Sequence, residues 1–244
     1  MLIRRFPALL LTAALGTLAA PSLAQPARAP QKAAAAVSDE TFIAARDAYR
    51  ANDRARLDAL APKTRGHPLA AYVEMWQIAL RLRTGDPAQV DAAVRDFFAR
   101  HPDAYVSERL RLEWLLARGV RGDFAGYERD AALLVWNQDD AQLRCYRALA
   151  RYLAGEPAAA AEGPGVLLAT REGGGDGCLA LTEALLRDGR IDGWERVRAL
   201  TEHAQYATAK RVAALIPGAN AAQVAQAIDK PAAWLTAHER RVTD

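Results

Sequence analysis

The residues of this chain that could carry chemistry are two cysteines, four histidines and a set of glutamates on apolar-patterned segments. His67, His101, His203 and His238 are scattered, with no pair at i, i+4 and no acidic companion at a metal-ligating spacing, so neither a metal centre nor a histidine-based triad is indicated. His67 and His101 each precede a proline, which assigns them to helix starts, and Ser107 reads as a helix N-cap rather than a nucleophile. Glu172-Gly173-Gly174-Gly175-Asp176-Gly177 has the composition of a phosphate cradle. It lacks the preceding strand and the Gly-Lys-Ser/Thr ending that a cradle requires, and reads as a linker. A glycosidic acid needs a raised pKa in a partly dry cleft with a defined partner. Glu74, Glu113 and Glu183 lie among apolar residues at helical spacing and read instead as solvated acids on helix faces. No catalytic residue, cofactor-binding residue or metal ligand is nominated.

The elements that would position these residues are helical. No run of β-branched and aromatic residues alternates at period two, whereas Leu69, Tyr72, Val73, Trp76 and Leu80 fall at i, i+3, i+4, i+7 and i+11. Val90, Val94, Phe97 and Phe98 make a second stripe at i, i+4, i+7 and i+8. Between them, Gly85 suits the residue after a helix, Asp86 an N-cap and Pro87 a first turn. The same punctuation returns at Gly122, Gly155 and Gly189, spaced 37, 33 and 34 residues apart, a period typical of stacked antiparallel helix pairs. Pairs are expected at 68–100, 105–136, 139–170 and 177–204, with shorter helices at 39–61 and 206–239. One pair cannot bury its own apolar face. The expected fold is therefore all-α, a right-handed superhelical solenoid of antiparallel helix pairs of the tetratricopeptide kind, with a globular helix bundle as the alternative.

Cys145 and Cys178 are 33 residues apart, one repeat period, at positions expected on the first helices of successive pairs. Equivalent positions on neighbouring stacked helices lie close, so the pair is expected to form a disulfide; two buried free thiols are the alternative. Trp76, Trp114, Trp136 and Trp194 lie on or at the ends of apolar stripes and are expected to pack between helices rather than offer a sugar-stacking platform. Tyr146 and Tyr152 fall on different faces. Val212, Leu215, Ile216, Trp234 and Leu235 are expected to leave apolar surface exposed at the last repeat.

The ends add a compartment. Arg4 and Arg5 precede an apolar run from Ala8 to Ala20, closed by Ser22 and Ala24. That is the pattern of a cleavable signal peptide over 1–24, cut after Ala24, and the run is too short to anchor in a bilayer core of about 30 Å. Residues 25–37, rich in proline and alanine, read as a flexible leader, leaving an α-helical domain over 38–244. Two of the charges behind the formal net charge of +3 are Arg4 and Arg5, and the remaining arginines intermix with acids along helix faces. That pattern argues against a nucleic-acid footprint. The mature chain is expected to be periplasmic, without stable membrane insertion and without a cofactor.

Three segments together resemble the N-terminal superhelical region of soluble lytic murein transglycosylases. They are His67-Pro68-Leu69-Ala70-Ala71-Tyr72-Val73-Glu74-Met75-Trp76, then Phe97-Phe98-Ala99-Arg100-His101-Pro102 followed by Arg109-Leu110-Arg111-Leu112-Glu113-Trp114, and Gln142-Leu143-Arg144-Cys145-Tyr146 with Cys178 beyond. The resemblance covers about 42–239 and implies a helical superhelix on which a lysozyme-like catalytic domain is seated. The family's catalytic Glu-Ser, Gly-Leu-Met-Gln-Ile and Ala-Tyr-Asn-Ala-Gly segments are not in this chain. What the resemblance implies is a non-catalytic scaffold in peptidoglycan turnover. Its partners would be a peptidoglycan strand and a catalytic domain encoded beyond Asp244, which would cleave the bond between N-acetylmuramic acid and N-acetylglucosamine. The alternative is a free-standing periplasmic helical-repeat adaptor that binds a protein partner.

Overall fold

The computed structural model describes residues 38–136, 138–170 and 175–239. The expected signal peptide, the leader, residues 171–174 of the glycine-rich linker and the final residues 240–244 lie outside the described residues. Within them the chain is all-α, with thirteen α-helices and a short 3-10 turn. In order they are α1 (Asp39–Arg50), α2 (Arg54–Leu60), the 3-10 turn Ala61–Thr64, α3 (Ala70–Thr84), α4 (Pro87–Arg100), α5 (Tyr105–Arg121), α6 (Tyr127–Ala131) and α7 (Ala141–Leu153). There follow α8 (Pro157–Ala169), α9 (Gly175–Arg187), α10 (Gly193–Glu202), α11 (Tyr206–Ala213), α12 (Ala221–Asp229) and α13 (Pro231–His238).

Several helices start where a side chain can satisfy a first amide. Asp86 accepts from Gln89 N at 3.0 Å ahead of α4, Asp140 from Leu143 N at 2.8 Å ahead of α7, and Asp192 from Trp194 N and Glu195 N ahead of α10. Pro87, Pro157 and Pro231 open α4, α8 and α13, where a missing amide hydrogen costs nothing. Gly122, Gly155 and Gly189 adopt the left-handed conformation expected after a helix, with φ of 70°, 76° and 63°. Gly85 does not: its φ is −83°, and glycine is needed there for space, since a Cβ would lie 2.7 Å from Val90 Cγ2 and 2.8 Å from the Arg81 carbonyl oxygen.

Contacts run between α1 and α2, α3 and α4, α5 and α6, and α7 and α8, and between alternate helices, α1 on α3, α3 on α5, α5 on α7, α7 on α9 and α9 on α11. The expected 177–204 pair departs from this, since α10 packs chiefly on α11 rather than on α9. From α1 to α8 the period of the sequence matches the packing, consistent with stacked helix pairs. Helix α5 serves two neighbours. Leu110 and Trp114 join the cluster built from α1 to α4 around Val73, Val94 and Phe97, while Leu112 and Leu115 join the cluster of Leu143, Tyr146, Leu181 and Leu185. Gly119, on the same helix, lets α7 approach so closely that a Cβ there would fall 2.5 Å from the Tyr146 ring. A third cluster holds Val197, Leu200, Ala209 and Val212. Val212 is therefore buried rather than exposed. Leu235 keeps the exposure expected of it, whereas Leu215, Ile216 and Trp234 are partly covered.

One expected helix is cut short. The second helix of the 105–136 pair runs only over Tyr127–Ala131, and residues 132–136 leave the helical path. The reason is a distant carboxylate: Glu108, on α5, accepts from Val135 N at 2.8 Å and from Trp136 N at 2.7 Å. Those amides are drawn to α5 instead of continuing the helix ladder.

Candidate functional site

Cys145 on α7 and Cys178 on α9 are both buried, with Cα atoms 4.8 Å apart and their sulfurs at disulfide distance. The two helices expected to carry them do so. The glutamates are engaged in ion pairs. Arg100 donates to both oxygens of Glu74, Arg109 reaches Glu113 at 3.9 Å and Arg187 reaches Glu183 at 3.6 Å. Among the described residues no group of three or more His, Cys, Asp or Glu side chains could hold a metal ion, and no helix is long and apolar enough to cross a membrane.

The histidines and Ser107 have local duties. His67 is buried, stacked on Phe42, with Nε2 bonded to Asp39 at 2.9 Å and Nδ1 accepting from Leu69 N at 3.0 Å just ahead of α3. His101 closes α4 instead of opening a helix. Ser107 is not the N-cap of α5, a position held by Ala104; its hydroxyl donates to the His101 carbonyl at 2.5 Å and ties the end of α4 to the start of α5.

The tryptophans divide. Trp76 and Trp114 are core residues, Trp76 among Phe42, Tyr49 and Tyr72, and Trp114 with its indole N–H donating to Asp91 at 2.7 Å. Trp136 and Trp194, expected to pack between helices, are 66% and 41% exposed. Trp194 lies in the first turn of α10, outside its buried face. Trp136 is exposed because the chain has left the helix before reaching it. Tyr146 is buried on α7, where desolvation, with a smaller push from Asp176, raises its pKa to about 12. Tyr152 is half-buried and donates its hydroxyl to Asp188.

Trp136 is not alone on the surface. Its ring centroid lies 5.4 Å from that of Tyr105, the first residue of α5, which is 47% exposed. The two rings border a groove of about 230 Å³ that is also lined by Asp103, Ser107, Glu108 and Arg111. Leu133 and Val135 form its apolar edge. The groove is held rather than loose. The amides of Val135 and Trp136 are fixed by Glu108, and Arg111 is laid over the Phe98 ring at 4.2 Å. Burial lowers the Arg111 pKa, while Asp130 and Glu108 pull it back up.

Aromatic faces beside carboxylate and guanidinium groups suit a ligand with one apolar face and a polar edge, as a pyranose has. The expectation placed Trp136 on a helix and passed over Tyr105, Glu108 and Arg111. One signal pointed the other way: Leu133-Leu134-Val135-Trp136 is an unbroken apolar run, which no single helical stripe can bury.

A larger cleft, of about 490 Å³, lies between the 3-10 turn, α3 and the end of α4, with Arg65, Arg81 and Arg100 in its wall. Its acids are already bonded, Asp58 to Gln77 at 2.6 Å and Glu74 to Arg100. Neither a family model, nor a curated protein, nor a solved structure matches the chain.

Proposed function

We propose that this chain is a non-catalytic helical-repeat scaffold of the bacterial periplasm that holds a peptidoglycan strand, the glycan-cleaving chemistry being supplied by a lytic transglycosylase domain outside these residues. The observation that carries the reading is the exposed Tyr105–Trp136 pair over a groove of mixed charge. A sugar ring can lay its C–H face on such a pair while its hydroxyls bond to Asp103 or Arg111. Arg65 and Arg81 in the wall of the larger cleft suit the carboxylates that a peptidoglycan strand carries on its peptide stems. The likeness of the 67–76, 97–102, 109–114 and 142–146 segments to the superhelical region of that family supports the same assignment, as does the signal-peptide pattern of residues 1–24.

The test is co-sedimentation of the purified chain with peptidoglycan sacculi. Wild type should pellet with them, and Trp136→Ala, a substitution at an exposed position, should weaken binding by about tenfold without loss of helicity. Binding that ignores Trp136, or wild type that stays in the supernatant, would remove the glycan reading and leave the protein-binding adaptor in its place. Release of 1,6-anhydromuropeptides by the chain alone would overturn the non-catalytic part.

A further inference from the structure

Among the described residues two arginines are almost completely buried, and they are treated in opposite ways. Arg118, 4% exposed, donates to Asp123 at 2.9 Å, to Asp130 at 2.7 Å and to the Ala125 carbonyl, and lies over the Trp114 ring. Every face of that guanidinium is compensated. Arg196 on α10, 7% exposed, makes one hydrogen bond, from Nη1 to the Leu167 carbonyl at 2.7 Å, while its Nε is buried without a partner. Among the described residues no carboxylate comes within ion-pair distance of it, and burial alone pulls its pKa down, with no acid to pull it back. A cation taken out of water without an anion is a costly arrangement. Capping the end of α8 explains one of its five N–H groups and leaves the charge unexplained.

Arg196 also forms one wall of a cavity of about 190 Å³, the room of about six waters. The cavity lies between the second half of α8 and the turn that leads into α10. Pro164, Leu167, Leu168 and Ile191 give it an apolar side, and Arg190 adds a second cation. Of its two acids, Asp192 is spent on the amides of Trp194 and Glu195, and Glu195 is exposed. A buried guanidinium with a donor to spare beside a small aliphatic wall is complementary to a carboxylate on a short hydrocarbon group. We propose that this cavity is a binding site for a small aliphatic carboxylate, with Arg196 as its anchor. Phosphate fits less well, because the apolar side would strip water from its outer oxygens with nothing to replace it.

The assignment is independent of the glycan groove and is tested on the full chain by isothermal titration calorimetry. Four probes are used: hexanoate, acetyl-alanyl-alanine with a free C-terminus, the same dipeptide as its amide, and inorganic phosphate. Binding of either carboxylate supports the site, and which of the two binds tells a fatty acid from a peptide C-terminus. The amide should bind at least about tenfold more weakly than the free acid, and Arg196→Met should weaken the carboxylate by about as much. Arg196→Met is expected to fold with an unchanged or higher Tm, since it exchanges an unpaired cation for an apolar chain of similar length. The proposal is overturned by no heat with either carboxylate, by equal binding of acid and amide, by binding undiminished in Arg196→Met, or by phosphate binding alone. It is also overturned if Glu172→Gln lowers Tm in wild type but not in Arg196→Met, which would make the missing anion a residue of this chain.

Discussion

Replacing Cys145 and Cys178 together by alanine is expected to cost the fold about 3–4 kcal/mol, the chain-entropy value for closing a loop of this length. The two positions are 33 residues apart and join α7 directly to α9. What lies between them is a weak helix. Helix α8 carries Gly163-Pro164-Gly165 in its interior, and Pro164 both lacks an amide hydrogen and crowds the turn before it. The link therefore keeps α7 on α9 without relying on α8. In urea the oxidised protein should unfold at a higher midpoint than either the reduced protein or the double alanine variant, with those two alike. A free-thiol assay on oxidised, denatured protein should find no reactive cysteine. Coincident midpoints for oxidised and reduced protein would show that the helices hold the sulfurs together unaided.

Asp130→Ala is expected to be the more damaging single substitution in this cluster, at about 1.5–3 kcal/mol, the usual worth of a hydrogen bond to a charged group whose buried donor is left unmet. Arg118 would keep Asp123, but its Nη1 would face the protein interior with no acceptor. Arg118→Met should cost less. It leaves behind Asp123, which is partly exposed and can turn to water, and Asp130, which keeps Arg129 at 3.2 Å, and it preserves much of the packing on Trp114 and Tyr127. A double-mutant cycle with Arg118→Met and Asp130→Ala measures the coupling, and an interaction term below about 0.5 kcal/mol would show that the two residues act separately. The cluster also has a positional role. Arg118 lies in the last turn of α5, while Asp123, Ala125 and Asp130 belong to the turn and helix that lead to Trp136, so this one guanidinium fixes the path into the exposed aromatic groove.

Much of this architecture can be read in the sequence because it rests on local periodicity. The stripes of α3 and α4, the Asp86-Pro87 start and the glycines at 122, 155 and 189 all act within a turn or two of themselves. The cysteine pair was legible for a related reason: in a stacked array, residues one period apart are neighbours. The groove was not. It joins Tyr105 to Trp136 across 31 residues, and it exists because Glu108 draws two amides out of a helix that local propensity would have continued. Nor could Arg196 be singled out, since an arginine three residues into a helix looks the same whether it faces open water or a cavity wall. Burial of a long cationic side chain is decided by which neighbours arrive, and those are set by the stacking of α8 against the next pair.

The bond between α7 and α9 also decides how the array answers a pull. Tension applied to the two ends of an oxidised chain passes from Cys145 to Cys178 through sulfur and never loads α8. About 110 Å of contour, the extended length of 33 residues, stays out of reach of the force. Reduction would hand that length back, so the redox state of one pair of sulfurs sets how far the array can be drawn out.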